Sequence, residues 1–308
     1  MSNTNILSIS GGKDSTAMLL LALERGVAFR AVFADTGNEH QAVYDYLPYL
    51  EQQTGVKIEH VKADFTAEIS RKRDYAQTVW QEEGIAASII ADALSVLYPT
   101  GNPFLDLCLW KGRFPSRMAQ FCTEELKRNP VLEQVILPAL ENGTVESWQG
   151  VRADESAKRA KYTERTDQGG GLTIYRPILT WTVQDVFAIH RKHGIQPNPL
   201  YLQGMGRVGC MPCINAGKAE LAEIAQRFPA EVARIREWER LVGMASKRGA
   251  STFFAPDKDS QNHVAGIDTV MQWAKTERGG KVYSLFSQPA MYTGGCASAY
   301  GLCDGGTV

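Results

Sequence analysis

Six consecutive residues, Ser10-Gly11-Gly12-Lys13-Asp14-Ser15, combine the groups that hold a polyphosphate. The two glycines let the backbone approach an anion with no Cβ in the way. Lys13 supplies a mobile positive charge, and Ser10 and Ser15 supply hydroxyl donors. Asp14 is a carboxylate suited to holding Mg²⁺ beside phosphates. A glycine turn capping a helix would account for Gly11 and Gly12 alone. The whole hexamer arises by chance in a chain of this length with a probability on the order of 10⁻⁵. The segment therefore reads as a phosphate loop, without the longer G-x-x-x-x-G-K-[ST] spacing of the Walker loop.

Two further sets of residues could do chemistry. Arg152 and Arg159 carry guanidinium forks of the kind that clasp phosphate or sulfate in two-pronged fashion. A solvated turn, ion-paired through Asp154 and Glu155, is the plainer reading of the same segment. Cys210-Met211-Pro212-Cys213 follows Gly209, so a tight turn aims both sulfurs at one point. Zinc and a four-iron, four-sulfur cluster each require four ligands. The remaining ligands would come from Cys122, Cys296 and Cys303, whereas Cys108 among Leu107, Leu109 and Trp110 reads as a small buried apolar residue. Unrelated buried thiols are the alternative. His190, His193 and the tryptophans at 148, 181, 238 and 273 read as packing groups.

The elements that must position these residues alternate in type. Apolar runs at 5–9, 29–34 and 56–61 read as strands, and 14–25 and 41–53 as helices between them. That alternation predicts an α/β fold, a doubly wound, mostly parallel sheet covered on both faces. The hexamer then joins the first strand to the first helix, where N–H groups converge and the helix dipole favours an anion. Asp35, Thr36 and Gly37 leave the second strand at its carboxyl end, beside the crevice where such sheets bind ligands. Residues 65–98 and 123–140 read as helical and 98–115, with three prolines and two glycines, as irregular. Strands follow at 146–150 and 173–175, separated by an exposed tip at 169–171. Helices are expected at 183–193, 219–228, 231–246 and 267–275. The reading divides the chain into a nucleotide-binding part, 1–215, and a helical and irregular part, 216–308.

Composition narrows the class. Of 308 residues, 44% are hydrophobic and 22% charged, which is ordinary for a globular protein. Lys and Arg number 33 against 34 Asp and Glu, so no bulk basic excess marks a duplex-DNA binder, and only a local basic patch stays open. No apolar run reaches the roughly 18 residues of a membrane span, and the amino terminus lacks a basic signal-peptide region. Six cysteines are too few for a disulfide scaffold. The expectation is a cytoplasmic chain with reduced thiols and no membrane partner.

The hexamer resembles the pyrophosphate loop of the adenine nucleotide α-hydrolase superfamily. Within it, the chain is similar to the phosphoadenosine phosphosulfate reductase family. Asp35-Thr36-Gly37-Asn38-Glu39 resembles that family's D-T-G-x-E segment near the adenosine. Phe121-Cys122-Thr123-Glu124-Glu125-Leu126-Lys127 resembles a block that carries paired cysteines in reductases, here with Thr123 at the second position. Gly150-Val151-Arg152-Ala153-Asp154-Glu155-Ser156 with Arg159 resembles its anion-binding block. Pro177 to Thr182, Asn198-Pro199-Leu200-Tyr201 and Gly209–Cys213 resemble its closing stretch, so the likeness runs from about residue 5 to 215.

The resemblance implies ATP with Mg²⁺, with the nucleotide held by Ser10, Gly11, Gly12, Lys13, Ser15, Asp35, Thr36 and Gly37. Lys13, Asp14, Arg152 and Arg159 would act in cleaving ATP between its α and β phosphates. It also implies a four-iron, four-sulfur cluster on Cys122, Cys210, Cys213 and either Cys296 or Cys303, with zinc as second choice. The reaction implied is activation of a substrate for sulfur transfer, with a sulfur-donor protein or a nucleic acid as partner. A sulfonucleotide reductase is the alternative. The tail Gly301-Leu302-Cys303-Asp304 shares pieces of that family's Glu-Cys-Gly-Leu-His motif but not the motif. A non-catalytic nucleotide-binding subunit is the third reading.

Overall fold

A computed structural model of the chain describes residues 2–254, 257–258, 264–277 and 300. The first part runs β1 (Ser2–Ile9), α1 (Lys13–Glu24), β2 (Phe29–Asp35), α2 (Gln41–Thr54) and β3 (Ile58–Lys62). Three helices follow: α3 (Thr66–Glu82), α4 (Ala87–Val96) and α5 (Pro103–Lys111). A long helix, α6 (residues 121–140), leads to β4 (Gly143–Gln149), β5 (Arg165–Gly169) and β6 (Leu172–Tyr175). The remaining helices are α7 (Val183–Lys192), α8 (Lys218–Arg227), α9 (Pro229–Met244) and α10 (Ile267–Ala274).

The main sheet has the order β3-β2-β1-β4-β6-β5. Every neighbouring pair is parallel except β5 with β6. The chain winds outward from β1 to β3, then returns to the other side of β1 through β4. The carboxyl ends of β1 and β4 are thus the point where the winding reverses, which is where open α/β sheets take ligands. Strand pleating sends Ile6, Val32 and Val145 to one face, where Val135, Ile136 and Ala139 of α6 cover them. Leu7, Ile9, Ala31 and Phe33 face the other way and pack with α1 and α2. All six residues from Ala17 to Ala22 are buried because α7 packs on α1 as well. Helix α1 needs no polar face.

The expected α/β class and parallel sheet are observed. Three local expectations differ. Residues 98–115 are not irregular throughout, since α5 lies inside them. Asn102 caps α5 by accepting the Leu105 N–H at 3.0 Å, Pro103 occupies its first turn, and Gly112 (φ +64°) closes it. The prolines and glycines there bound a helix rather than break one. Strand β5 has no apolar alternation, being a mostly exposed edge hairpin with β6 around the tip at Gly169–Gly171. Trp273 stands 47% exposed, whereas Trp148 and Trp238 are buried.

Helix α6 accommodates two prolines by widening. A π-turn at Glu124–Arg128 precedes Pro130, and a second at Leu132–Ile136 precedes Pro138. Proline lacks the N–H and crowds the carbonyl one turn back, so a wider turn relieves both problems. The first of these turns places Lys127, which becomes important below. Among the described residues, no helix is long and apolar enough to cross a membrane.

Asn102 also donates from Nδ2 to the Gly37 carbonyl at 2.7 Å, tying α5 to the end of β2. Asn102→Ala removes a cap and a cross-link together. We expect it to lower unfolding free energy by about 1–2 kcal/mol, read as a shifted urea midpoint with unchanged slope.

Candidate phosphate and thiol site

The loop between β1 and α1 is shaped by one glycine and one pair of serines. Gly11 has φ +68°, and a Cβ there would sit 3.0 Å from Val43 Cγ1, so neither conformation nor space admits a side chain. Ser15 Oγ accepts the Ser10 N–H at 3.1 Å and lies 3.0 Å from Ser10 Oγ. Gly12 precedes α1 without any side-chain cap, which leaves the helix amino terminus as an anion-seeking end.

Three charges meet there. Asp14 Oδ2 accepts Lys13 Nζ at 2.7 Å, and its Oδ1 accepts Arg152 Nε at 2.6 Å. Arg152 also reaches Asp154 at 2.6 Å. Lys13 and Arg152 are 5% and 3% exposed, so these cations have left most of their water and depend on Asp14. Gly150, at the end of β4, allows the approach. A Cβ on it would lie 2.9 Å from Asp14 O and Ser15 N. Arg159, by contrast, is half-exposed and bound to Glu155, whose carboxylate also accepts the Arg152 backbone N–H at 3.1 Å.

Sequence reasoning gave no role to the side chains that hold this loop from behind. Tyr201 Oη accepts the Lys13 N–H at 3.0 Å, and Asn198 Nδ2 donates to the Gly11 carbonyl at 3.3 Å. His190 Nε2 lies 2.9 Å from the Lys13 carbonyl, which can only accept, so that nitrogen carries the proton. Burial pushes the His190 pKa down, keeping the ring neutral. All three residues are about 1% exposed. Reading His190 as a packing group holds. His193 instead pairs with Glu24 at 2.8 Å. Asn198 and Tyr201 were visible only as parts of a motif without an assigned contact.

Asp35, Thr36 and Gly37 form a tight turn. Asp35 Oδ1 accepts the Gly37 N–H at 2.9 Å and the Tyr44 hydroxyl at 2.7 Å. Gly37 (φ +74°) has Pro103 and Asn102 atoms within 2.8 Å of where a Cβ would be. Beside this turn, a cavity of about 390 Å³ opens at the carboxyl ends of β1, β2 and β4, against α6. Its walls include Ser10, Val32, Ala34, Val131, Lys127 and Glu39. Asp35, Thr36 and Gly37 do not line it, although Ala34 and Glu39 on either side do.

The thiols gather around Lys127. Cys210 Sγ lies 3.5 Å from Glu39 Oε1 and 3.6 Å from Thr36 Oγ1, and Glu39 pairs with Cys210 as an isolated bridge of backbone. Lys127 is coupled electrostatically first to Cys210, then to Glu39, Cys213 and Cys122, and this coupling holds its ammonium above the usual lysine range. Cys122 and Cys213 also sense each other. Burial pushes the Cys210 thiol up to about 12, so it is protonated at neutral pH in this state. Cys213 accepts the Asn215 N–H at 3.5 Å. Cys108 is fully buried, as expected of a small apolar residue. Cys296 and Cys303 lie outside the described residues. Among the described residues, no three His, Cys, Asp or Glu side chains are spaced to hold a single metal ion.

The model of the phosphoadenosine phosphosulfate reductase domain family matches residues 4–216. An uncharacterized 37.8 kDa protein of Escherichia phage 186 is 50% identical over 98% of this chain and 97% of its own length. The adenosine 5'-phosphosulfate reductase of Allochromatium vinosum is 38% identical, over only 22% of this chain and 27% of that protein. Among solved structures, the phosphoadenylyl-sulfate reductase of Candida auris aligns over 68% of this chain and 82% of its own, with 13% identity and a TM-score of 0.41.

Removing Asp14 leaves the buried Lys13 without a carboxylate partner and Arg152 with Asp154 alone. Asp14→Ala is expected to destabilise the fold by roughly 3 kcal/mol, and added pyrophosphate should restore more melting temperature to the variant than to the wild type. Thermal unfolding with and without the anion measures both.

Proposed function

Because the chain belongs to the phosphoadenosine phosphosulfate reductase domain family, we propose that it cleaves ATP between the α and β phosphates to activate a substrate for sulfur transfer. The observation that carries this reading is the buried Lys13–Asp14–Arg152 cluster at the amino terminus of α1. An acceptor oxygen on the substrate attacks the α-phosphorus, the bond to the bridging oxygen breaks, and pyrophosphate leaves with the electron pair. The leaving group gains negative charge where Lys13, the uncapped end of α1 and Arg152 converge, so these groups favour the transition state over the ground state. The neighbouring cavity, apolar along Val32, Ala34 and Val131, suits the adenine, while Ser10, at its edge in the loop, suits the phosphates.

Mg²⁺ fits this arrangement, since it takes one or two carboxylates and completes its shell with phosphate oxygens and water. Asp14 would hold it, exchanging its bonds to Lys13 and Arg152 for the ion and freeing both cations for the phosphates. An iron–sulfur cluster fits the thiols in donor type. It spreads its ligands over several irons, so its thiolates stand farther apart than those around one zinc ion. Cys122, Cys210 and Cys213 would hold it, with Cys296 or Cys303 as fourth ligand, and it would supply sulfur or electron chemistry next to the cavity. Adenosine 5'-phosphosulfate reductases are among the curated relatives, which keeps a reductase as the second reading.

Pyrophosphate release from ATP tests the proposal. Lys13→Ala should lower it at least 100-fold, and Asp14→Asn comparably, with circular dichroism unchanged. Full release by Lys13→Ala would remove the loop from the reaction. Consumption of adenosine phosphosulfate with no turnover of ATP would select the reductase.

Anaerobic reconstitution with iron and sulfide should give four irons per chain. Cys210→Ser and Cys213→Ser should each lose the visible absorption. Stoichiometric zinc without iron uptake would contradict the cluster.

A further inference from the structure

A cavity of about 990 Å³ lies between α3, the end of α5 and the segment after α9, and the phosphate loop does not line it. That volume stands at the top of the roughly 300–1,000 Å³ typical for pockets that enclose one small molecule. Its walls carry six cations, Arg71, Lys72, Lys111, Arg113, Lys247 and Arg248, against a single lining carboxylate, Glu68. Three of the six have their charge answered: Arg71 by Glu68, Lys111 by Glu125 and Lys247 by Glu83. Lys72, Arg113 and Arg248 have no carboxylate partner among the described residues. Lys72 Nζ donates to the Leu109 carbonyl at 2.7 Å, a neutral partner that leaves its charge uncompensated.

Aromatic rings are interleaved with these charges. Tyr75 is exposed and Trp110 and Phe254 are partly so, all on the cavity wall. Lys111 Nζ sits 3.5 Å from the centroid of Trp110, and Lys247 Nζ 5.0 Å from that of Tyr75. A chain with a net charge of −1 therefore concentrates unpaired positive charge and flat rings in one concavity. Cations spaced over three elements suit several phosphates in succession, and rings between them suit unstacked bases. A duplex keeps its bases turned inward and cannot use the rings.

We infer that this cavity binds a single-stranded polynucleotide segment. The inference rests on the reading above only for its purpose, as the docking place of the acceptor. Lys111 pairs with Glu125 of α6, and Lys111 and Arg113 flank Phe121 at 6.0 and 5.5 Å. Phe121 precedes Cys122, so two of the cavity's cations lie against the segment that carries that thiol. Burial and the nearby Lys247 push the Lys72 amine down to about 8, so it stays mostly charged at neutral pH and a bound phosphate would hold its proton more firmly.

Fluorescence anisotropy with labelled twelve-residue oligo-dT and oligo-U, and with a duplex of the same length, tests this on the full chain. Either single strand should bind, and more tightly than the duplex. Arg113→Glu with Arg248→Glu should weaken binding at least tenfold. It should also flatten the dependence of log affinity on log salt by about 0.7 for each phosphate that is no longer neutralised. Trp110→Ala should weaken it severalfold with the salt slope unchanged. Lys13→Ala should bind the oligonucleotide normally, so failure of the ATP reaction and failure of this site are separable. Unchanged affinity in the charge-reversal variant, duplex binding as tight as single strand, or displacement by inorganic polyphosphate as readily as by oligonucleotide would each overturn the inference.

Discussion

The structure depends on one partly buried carboxylate held between two buried cations. Asp14 neutralises its chain neighbour Lys13 and also Arg152, which lies 138 positions further along, and both cations are almost fully withdrawn from water. Such an arrangement is stable only while the geometry is maintained, because a cation withdrawn from water is costly without its full set of carboxylate partners. The parallel pairing of β1 with β4 brings the two segments side by side, and Gly150 removes the one side-chain atom that would keep them apart. Tyr201, Asn198 and His190 then fix the loop peptides from behind. The late part of the sheet domain exists in large measure to hold its earliest loop.

A second dependence links the cavity to the thiols. Lys127 and Glu39 both line the space beside the loop, and both face Cys210. A cation that arrives among the thiols would deprotonate them and change the charge seen by Lys127. A nucleotide in the cavity would meet the same ammonium from the other side. The π-turn that carries Lys127 arises from the need to fit Pro130, so a local backbone irregularity sets the position of the group shared by the two chemistries.

Much of the fold was legible in the sequence because strand and helix periods alternate cleanly up to β3, and because the loop hexamer has a physical meaning at a strand-to-helix turn. The Lys13–Asp14–Arg152 cluster was half legible. Lys13 and Asp14 announce themselves, and Arg152 sits in a motif, but its contact with Asp14 depends on sheet order, which no local pattern reveals. Arg159 carries the same chemistry in sequence yet is taken up by Glu155. Helix α5 was missed because Pro103 and Gly112 read as breakers when they are its boundaries. Strand β5 was missed because an exposed edge strand needs no apolar alternation. Tyr201 and His190 act through backbone contacts with Lys13, and such contacts leave no mark on residue type. A neutral composition left open a local basic patch, and the cations that line the larger cavity come from α3, α5 and the segment after α9, too far apart in sequence to read as one run.

A crystal structure with Mg²⁺ and a non-cleavable ATP analogue tests the central claim most directly. The account predicts the phosphates against the Gly11, Gly12 and Lys13 peptides, with Asp14 released from Lys13 or Arg152. The base should lie in the cavity walled by Val32, Ala34 and Val131. A triphosphate bound elsewhere, with the Lys13–Asp14–Arg152 cluster undisturbed, would contradict it.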